Sequence, residues 1–307
     1  MAALSASMAI SQQASINYTR GNEKEADRVG IALLANSDFD AQGAPSFFSK
    51  MSEKYRYATK PPAMLLTHPL PESRIADARQ RAHKYPIRRL PPSLNFELAK
   101  SRIQARYQNN AKDNIAFFKR QLRKQSYRLK VGAQYGLGVS YFENGEYQQA
   151  KSILESLKND DKNNLFYIDV LTDIYLSLKE YDHALTMLKD LNLLMPNNQV
   201  ISLNYGNALL SSGDYEQAAT VLQDFLLVNP GNFIAYDLLT TIYRKQGKKG
   251  LMHITKAEVL ALLGSYKKAV DELQTSYGFV EEQPLLQKRI KARILQFQEQ
   301  ENKLKRL

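Results

Sequence analysis

The chain has 307 residues, 42 Lys or Arg against 31 Asp or Glu for a net charge of +11, 44% apolar residues, and neither Cys nor Trp. Zero Cys excludes a disulfide scaffold and any thiolate metal site, and suits an oxidising compartment. The length and apolar content suffice for two domains, or one domain and a repeat array, and no run approaches the roughly 20 apolar residues of a membrane-spanning helix.

The first elements are helical. Residues 22 to 36 predict a helix with Ala26, Val29, Ile31, Leu33 and Leu34 as its buried stripe and Asn36 as its stop. A turn, Asp38 to Pro45, leads to a second helix that Pro45 would open and that runs to about Tyr55. A loop follows, Ala58 to Pro71, then a third helix over about Glu72 to Lys84, packing through Ile75, Ala78 and Ala82. Pro86-Ile-Arg-Arg-Leu-Pro-Pro92 cannot continue a helix and predicts a stiff linker.

Beyond the linker the sequence repeats itself. Tyr147-Gln-Gln-Ala150, Tyr181-Asp-His-Ala184 and Tyr215-Glu-Gln-Ala218 recur in steps of 34 residues. That is the period of tetratricopeptide repeats, each a pair of helices whose small residues sit at close crossings while Tyr and Leu fill the gap to the neighbour. Gly138, Leu154, Leu188, Gly206 and Leu222 fall in register. Leu98 to Leu122 predicts a degenerate opening pair, and Phe233 to Gln246 a fourth unit. Tyr266-Lys-Lys-Ala269, 51 residues after Tyr215, breaks the step and predicts an extra helix. Leu285 to Leu307 reads as a terminal cap.

Residues 79 to 130 hold fifteen Lys or Arg against Glu97 and Asp113. Such a stretch either faces an acidic protein or anionic lipid, which makes peripheral membrane contact an expectation, or forms the solvated faces of helices. No nucleic acid is expected as a partner, because the eighteen Tyr fall largely at repeat positions that predict core.

Two carboxylates, Glu23 and Asp27, lie one helical turn apart in Arg20-Gly-Asn-Glu-Lys-Glu-Ala-Asp27. Leu66-Thr-His-Pro-Leu-Pro-Glu-Ser-Arg74 follows after a further turn and helix. Together these segments resemble the Glu-x-x-x-Asp helix and His-Pro loop of zinc metallopeptidases of the CAAX-prenyl-protease and HtpX type. The resemblance implies Glu23 as a zinc ligand and Asp27 as hydrogen-bond partner of a ligand His. It makes His68 either an occupant of the metal's fourth position or a donor to the tetrahedral intermediate, and Arg74 an oxyanion stabiliser. Glu25 would point away from that face.

The fold expected is all-α: a partial metallopeptidase subdomain over 1–85, a Pro-rich linker over 86–93, tetratricopeptide repeats over 94–282 forming an α-solenoid, and a capping helix over 283–307. This order resembles bacterial periplasmic proteases of outer-membrane protein assembly. It implies repeats that bind outer-membrane proteins or their assembly machinery. The departure is the absence of His-Glu-x-x-His: the four His, at 68, 83, 183 and 253, include no pair four apart. A hydrolytic zinc needs two such ligands and a base for its water. The chain alone is therefore expected to be inactive, with the missing segment and any export signal upstream of Met1. The alternative expectation is a non-enzymatic tetratricopeptide scaffold or co-chaperone.

Overall fold

The structure, a computed structural model, describes residues 2–54 and 71–306, with side chains described over 17–53 and 73–306. The described residues form fifteen helices and no strand. The chain divides into two compact units, Met1–Pro91 and Pro92–Leu307.

The first unit contains α1 (Ala2–Asn36), α2 (Gly43–Lys54) and α3 (Pro71–Ala82). Helix α1 begins well before the expected residue 22, because nothing from Ala2 to Arg20 breaks a helix and Gly21 is accommodated inside it. Its buried stripe also differs from expectation. Val29 and Leu33 are 41% and 59% exposed and Ala26 is exposed, whereas Ile31 is buried and Ala35 half-buried. At about 100° per residue, Val29 and Leu33 fall on the side opposite Ile31. The inward row is Glu23, Asp27, Ile31 and Ala35, polar at one end and apolar at the other. Ile31 packs with Ala41, Phe48, Ala78 and Ala82 in a small core shared by the three helices. Helix α2 starts at Gly43, so Pro45 occupies its first turn rather than its first position.

The second unit is a stack of helix pairs: α4 (Leu94–Tyr107) with α5 (Ala111–Lys124), α6 (Lys130–Glu143) with α7 (Tyr147–Asp160), and α8 (Leu165–Ser177) with α9 (Tyr181–Leu194). Then come α10 (Gln199–Ser212) with α11 (Tyr215–Val228), α12 (Phe233–Lys245) with α13 (Lys249–Leu262), and α14 (Tyr266–Tyr277) with α15 (Pro284–Leu304). The start of α8, α10 and α12 is set by Asn164, Asn198 and Asn232, whose side chains accept backbone N–H bonds from the first helical turn.

No extra helix enters the array. Helix α13 starts 34 residues after α11 and fills the second-helix position, with Lys249-Gly-Leu-Met252 standing where earlier repeats have Tyr-x-x-Ala. Tyr266-Lys-Lys-Ala269 instead opens α14, the first helix of the next pair, half a period later. Helix α15 is the second helix of that last pair, burying Ile290 and Phe297.

The crossings are close where small residues recur. Ala150, Ala184 and Ala218 are fully buried. A Cβ added to Gly138 would lie 2.1 Å from a Leu154 methyl, and one added to Gly206 2.7 Å from Leu222. A continuous apolar core runs from Leu98 to Tyr243, and a second one joins α13, α14 and α15. Among the described residues no helix is long and apolar enough to cross a membrane.

Candidate functional site

Helix α1 places Glu23 and Asp27 on its inward row, and Arg74, in the first turn of α3, meets both. Arg74 Nε and Nη2 donate to the two Asp27 carboxylate oxygens at 2.7 and 2.5 Å, and Nη1 lies 2.9 Å from Glu23 Oε2. The side chains of Arg74, Asp27 and Glu23 are only 16%, 11% and 24% exposed. The guanidinium also lies 4.4 Å from the centre of the Phe48 ring, so α2 supplies an aromatic backing to the cluster. The Asp27 hydrogen bonds raise the already high pKa of Arg74. A planar, permanently charged fork fits this task as a lysine ammonium would not.

Of the sequence-predicted residues, the fold brings Glu23, Asp27 and Arg74 together. His68 lies outside the described residues. The guanidinium, expected to face a reacting oxyanion, directs three of its donor groups at the two carboxylates. Glu25 is exposed and pairs with Arg28 on the outer side of α1, as its position predicts. The part of Phe48 was not visible in the sequence, where it reads only as an apolar residue of α2.

A zinc site takes four ligands, three of them usually from protein in a catalytic centre. Among the described residues no cluster of three His, Cys, Asp or Glu could hold a metal ion. Glu23 can supply one carboxylate ligand, so the described residues do not compose a zinc centre by themselves. They present two neighbouring carboxylates and a balancing cation.

A second polar cluster lies within the repeats, built from first helices. Arg102 of α4 pairs with Asp169 of α8, which also accepts from Asn204 Nδ2 of α10 at 2.8 Å. Arg106 lies 2.9 Å from Glu143 of α6 and 3.6 Å from Asp173 of α8. Burial, reinforced by Asp169, pushes the Asp173 carboxyl up to about 6 despite Arg106 and Arg102. Tyr135 of α6 is fully buried beside this cluster with no hydrogen-bond partner for its hydroxyl among the described residues, and burial raises its pKa. Two arginines of the basic stretch are thus engaged across helices. This pairing of residues 67 apart carries no sequence signal.

Residues 1–82 match Peptidase family M48, and residues 133–164 and 175–242 match tetratricopeptide repeat families. The beta-barrel assembly-enhancing protease of Escherichia coli (strain K12) is 34% identical over 305 residues, covering 99% of this chain and 62% of that protein. A Vibrio cholerae protein placed by its name in the same group is 39% identical over 295 residues, covering 96% of this chain and 61% of its own length. The chain therefore spans about three fifths of the length of these curated relatives. A solved tetratricopeptide protein from Thermus thermophilus aligns over 66% of this chain at 16% identity, with a TM-score of 0.42. The described residues are all-α, a helical subdomain that matches part of a metallopeptidase family followed by a tetratricopeptide solenoid, and over nearly its whole length the chain resembles the bacterial beta-barrel assembly-enhancing proteases.

Proposed function

We propose that this chain is the substrate-handling part of a periplasmic zinc metalloendopeptidase with chaperone character, acting in outer-membrane protein assembly and quality control. Glu23 is the zinc ligand it contributes, and Asp27 accepts a hydrogen bond from a ligand His, fixing that ring's orientation. The remaining ligands and the general base come from a part of the protein beyond this sequence, so the chain by itself does not hydrolyse peptides. Zinc, when bound, would polarise the scissile carbonyl and lower the pKa of its water. His68 acts beside the metal as ligand or as donor to the tetrahedral intermediate.

The observation that carries this reading is the convergence of Glu23 and Asp27, from one face of α1, on a shielded cation in a segment that matches M48 peptidases. Arg74 neutralises the pair and sets its geometry, a role distinct from contact with a reacting oxyanion. The repeats, coupled to the peptidase in one chain, bind an outer-membrane protein or a member of its assembly machinery and raise its concentration near the metal. Glu23→Gln in the full-length protein tests the reading: it should abolish proteolysis and lower zinc content together.

The second reading, a non-enzymatic tetratricopeptide scaffold or co-chaperone, is favoured by one observation. Arg74 donates to Asp27 and pairs with Glu23, as it would in a purely structural ion-pair cluster. It predicts that partner binding and cellular function survive when Glu23 and His68 are both replaced.

A further inference from the structure

The repeats carry a second charge asymmetry, opposite in sign to the basic stretch. Between Lys189 and Arg244 there is no Lys or Arg at all, but five acids, in a chain of net charge +11. On this segment α9 and α11 end in apolar pairs that face solvent. Leu193 and Leu194 are 76% and 69% exposed, and Leu227 and Val228 are 83% and 61% exposed. An exposed acid, Asp190 or Asp224, stands three and four residues before each pair and so shares its helix face. Among the described residues neither of these acids has an ion-pair partner.

The arrangement is not a by-product of stacking. At the corresponding positions α7 has Ser156, Asn159 and Asp160, and it packs into the same core through Ala150, Leu154 and Leu157. In α13 the signature is weaker: Glu258 is held by Arg293 at 2.6 Å, Ala261 replaces the first leucine, and Leu262 is 43% exposed. Asp224 and Leu227 also border an apolar groove of about 520 Å³ whose walls include Tyr236 and Ile254. Adjacent exposed apolar residues that recur through successive repeats, beside a groove, mark an interaction surface. Asp190 and Asp224, exposed beside these pairs, select against anionic lipid and in favour of a cationic partner.

We propose that the outer ends of α9 and α11, with the adjoining groove, dock a polypeptide segment in which Lys or Arg alternates with large apolar residues. The apolar side chains cover the exposed pairs Leu193–Leu194 and Leu227–Val228 and enter the groove, and the cations meet Asp190 and Asp224. The proposal rests on the reading of the repeats as the partner-binding part and assigns them a surface and a ligand chemistry. This surface lies on second helices and is separate from the polar cluster of Arg102 and Asp169 on first helices.

The test uses the full chain and a fluorescent synthetic peptide of alternating Lys and Leu, followed by anisotropy, with a Glu-and-Leu peptide as counterpart. The Lys peptide should bind, the Glu peptide about tenfold or more weaker. Asp190→Lys with Asp224→Lys, and separately Leu194→Ser with Leu227→Ser, should each weaken the Lys peptide about tenfold with unchanged helical content and melting. Arg102→Gln should leave its affinity unchanged. Binding that survives both ridge variants but fails in Arg102→Gln would move the ligand to the first helices, overturning this surface while keeping the repeats as a peptide-binding part. Failure of the Lys peptide to bind overturns the proposal, and so does sedimentation showing that the ridge variants only dissolve a dimer, which would make the occupant a second copy. Neither result touches the Glu23 zinc measurement, so the two readings fail separately.

Discussion

Arg74 closes on Asp27 through two hydrogen bonds, 2.7 and 2.5 Å long, one to each carboxylate oxygen, across 47 residues of sequence. The contact joins the start of α3 to the polar end of the inward row of α1, and Glu23 leans on the same guanidinium. One cation thus holds both carboxylates of the candidate metal segment in a fixed relation.

Removing that cation should loosen the first unit. Arg74→Gln leaves two shielded carboxylates side by side, at a cost of about 1–3 kcal/mol once their partial exposure is allowed for. Amide hydrogen exchange should speed up in α3 and in α1 around Asp27, with little change in α6 to α11. Arg74→Lys, which keeps charge without the fork, should fall between the variant and the native chain.

The close crossings of the array give a sharper packing test. Gly138→Ala drives a methyl against Leu154, and urea unfolding should show a loss of about 1–3 kcal/mol. Gly231→Ala meets nothing within 4 Å and should stay within about 0.5 kcal/mol of the native chain.

Asp173 makes the stability of the repeats depend on pH. Its carboxyl titrates at about 6 in the folded chain against 3.8 as the ordinary value. Between these two values the folded state holds more protons than the unfolded state, so this group's contribution to stability falls as pH rises. Asp173→Asn should therefore match the native chain near pH 4 and be more stable above pH about 6. Urea midpoints at both pH values check the sign.

The Tyr135 hydroxyl is buried without a protein hydrogen-bond partner among the described residues. Deleting it costs no such bond and removes a desolvated polar group, so Tyr135→Phe should be neutral or stabilising by up to about 1 kcal/mol in the same unfolding assay. A loss of stability would contradict that reading of the side chain.

The repeat architecture was legible in the sequence because packing forces it: Ala150, Ala184 and Ala218 are identical in kind since two helices cross at each. The fifth second helix, α13, was missed for the same reason in reverse. Met252 occupies that crossing in place of Ala, so the pattern failed although the 34-residue spacing did not. In α1 the choice of face was misjudged, because Val29 and Leu33 are as apolar as Ile31 and nothing local tells which side meets α3. The carboxylate pair Glu23 and Asp27 was readable as a turn of helix, whereas its cation was not: the pairing with Arg74 is made by the fold, as are those of Arg102 with Asp169 and Arg106 with Glu143. His68, singled out from the His-Pro loop, lies outside the described residues.

The role of Glu23 is tested most directly by the zinc content of the full-length protein, by elemental analysis of metal-reconstituted material, for the native sequence and for Glu23→Gln. The variant should stay folded, with intact repeats, and bind substantially less zinc. Undiminished zinc in Glu23→Gln would contradict the assignment of Glu23 as a ligand, and with it the proposal that this segment belongs to a metal centre.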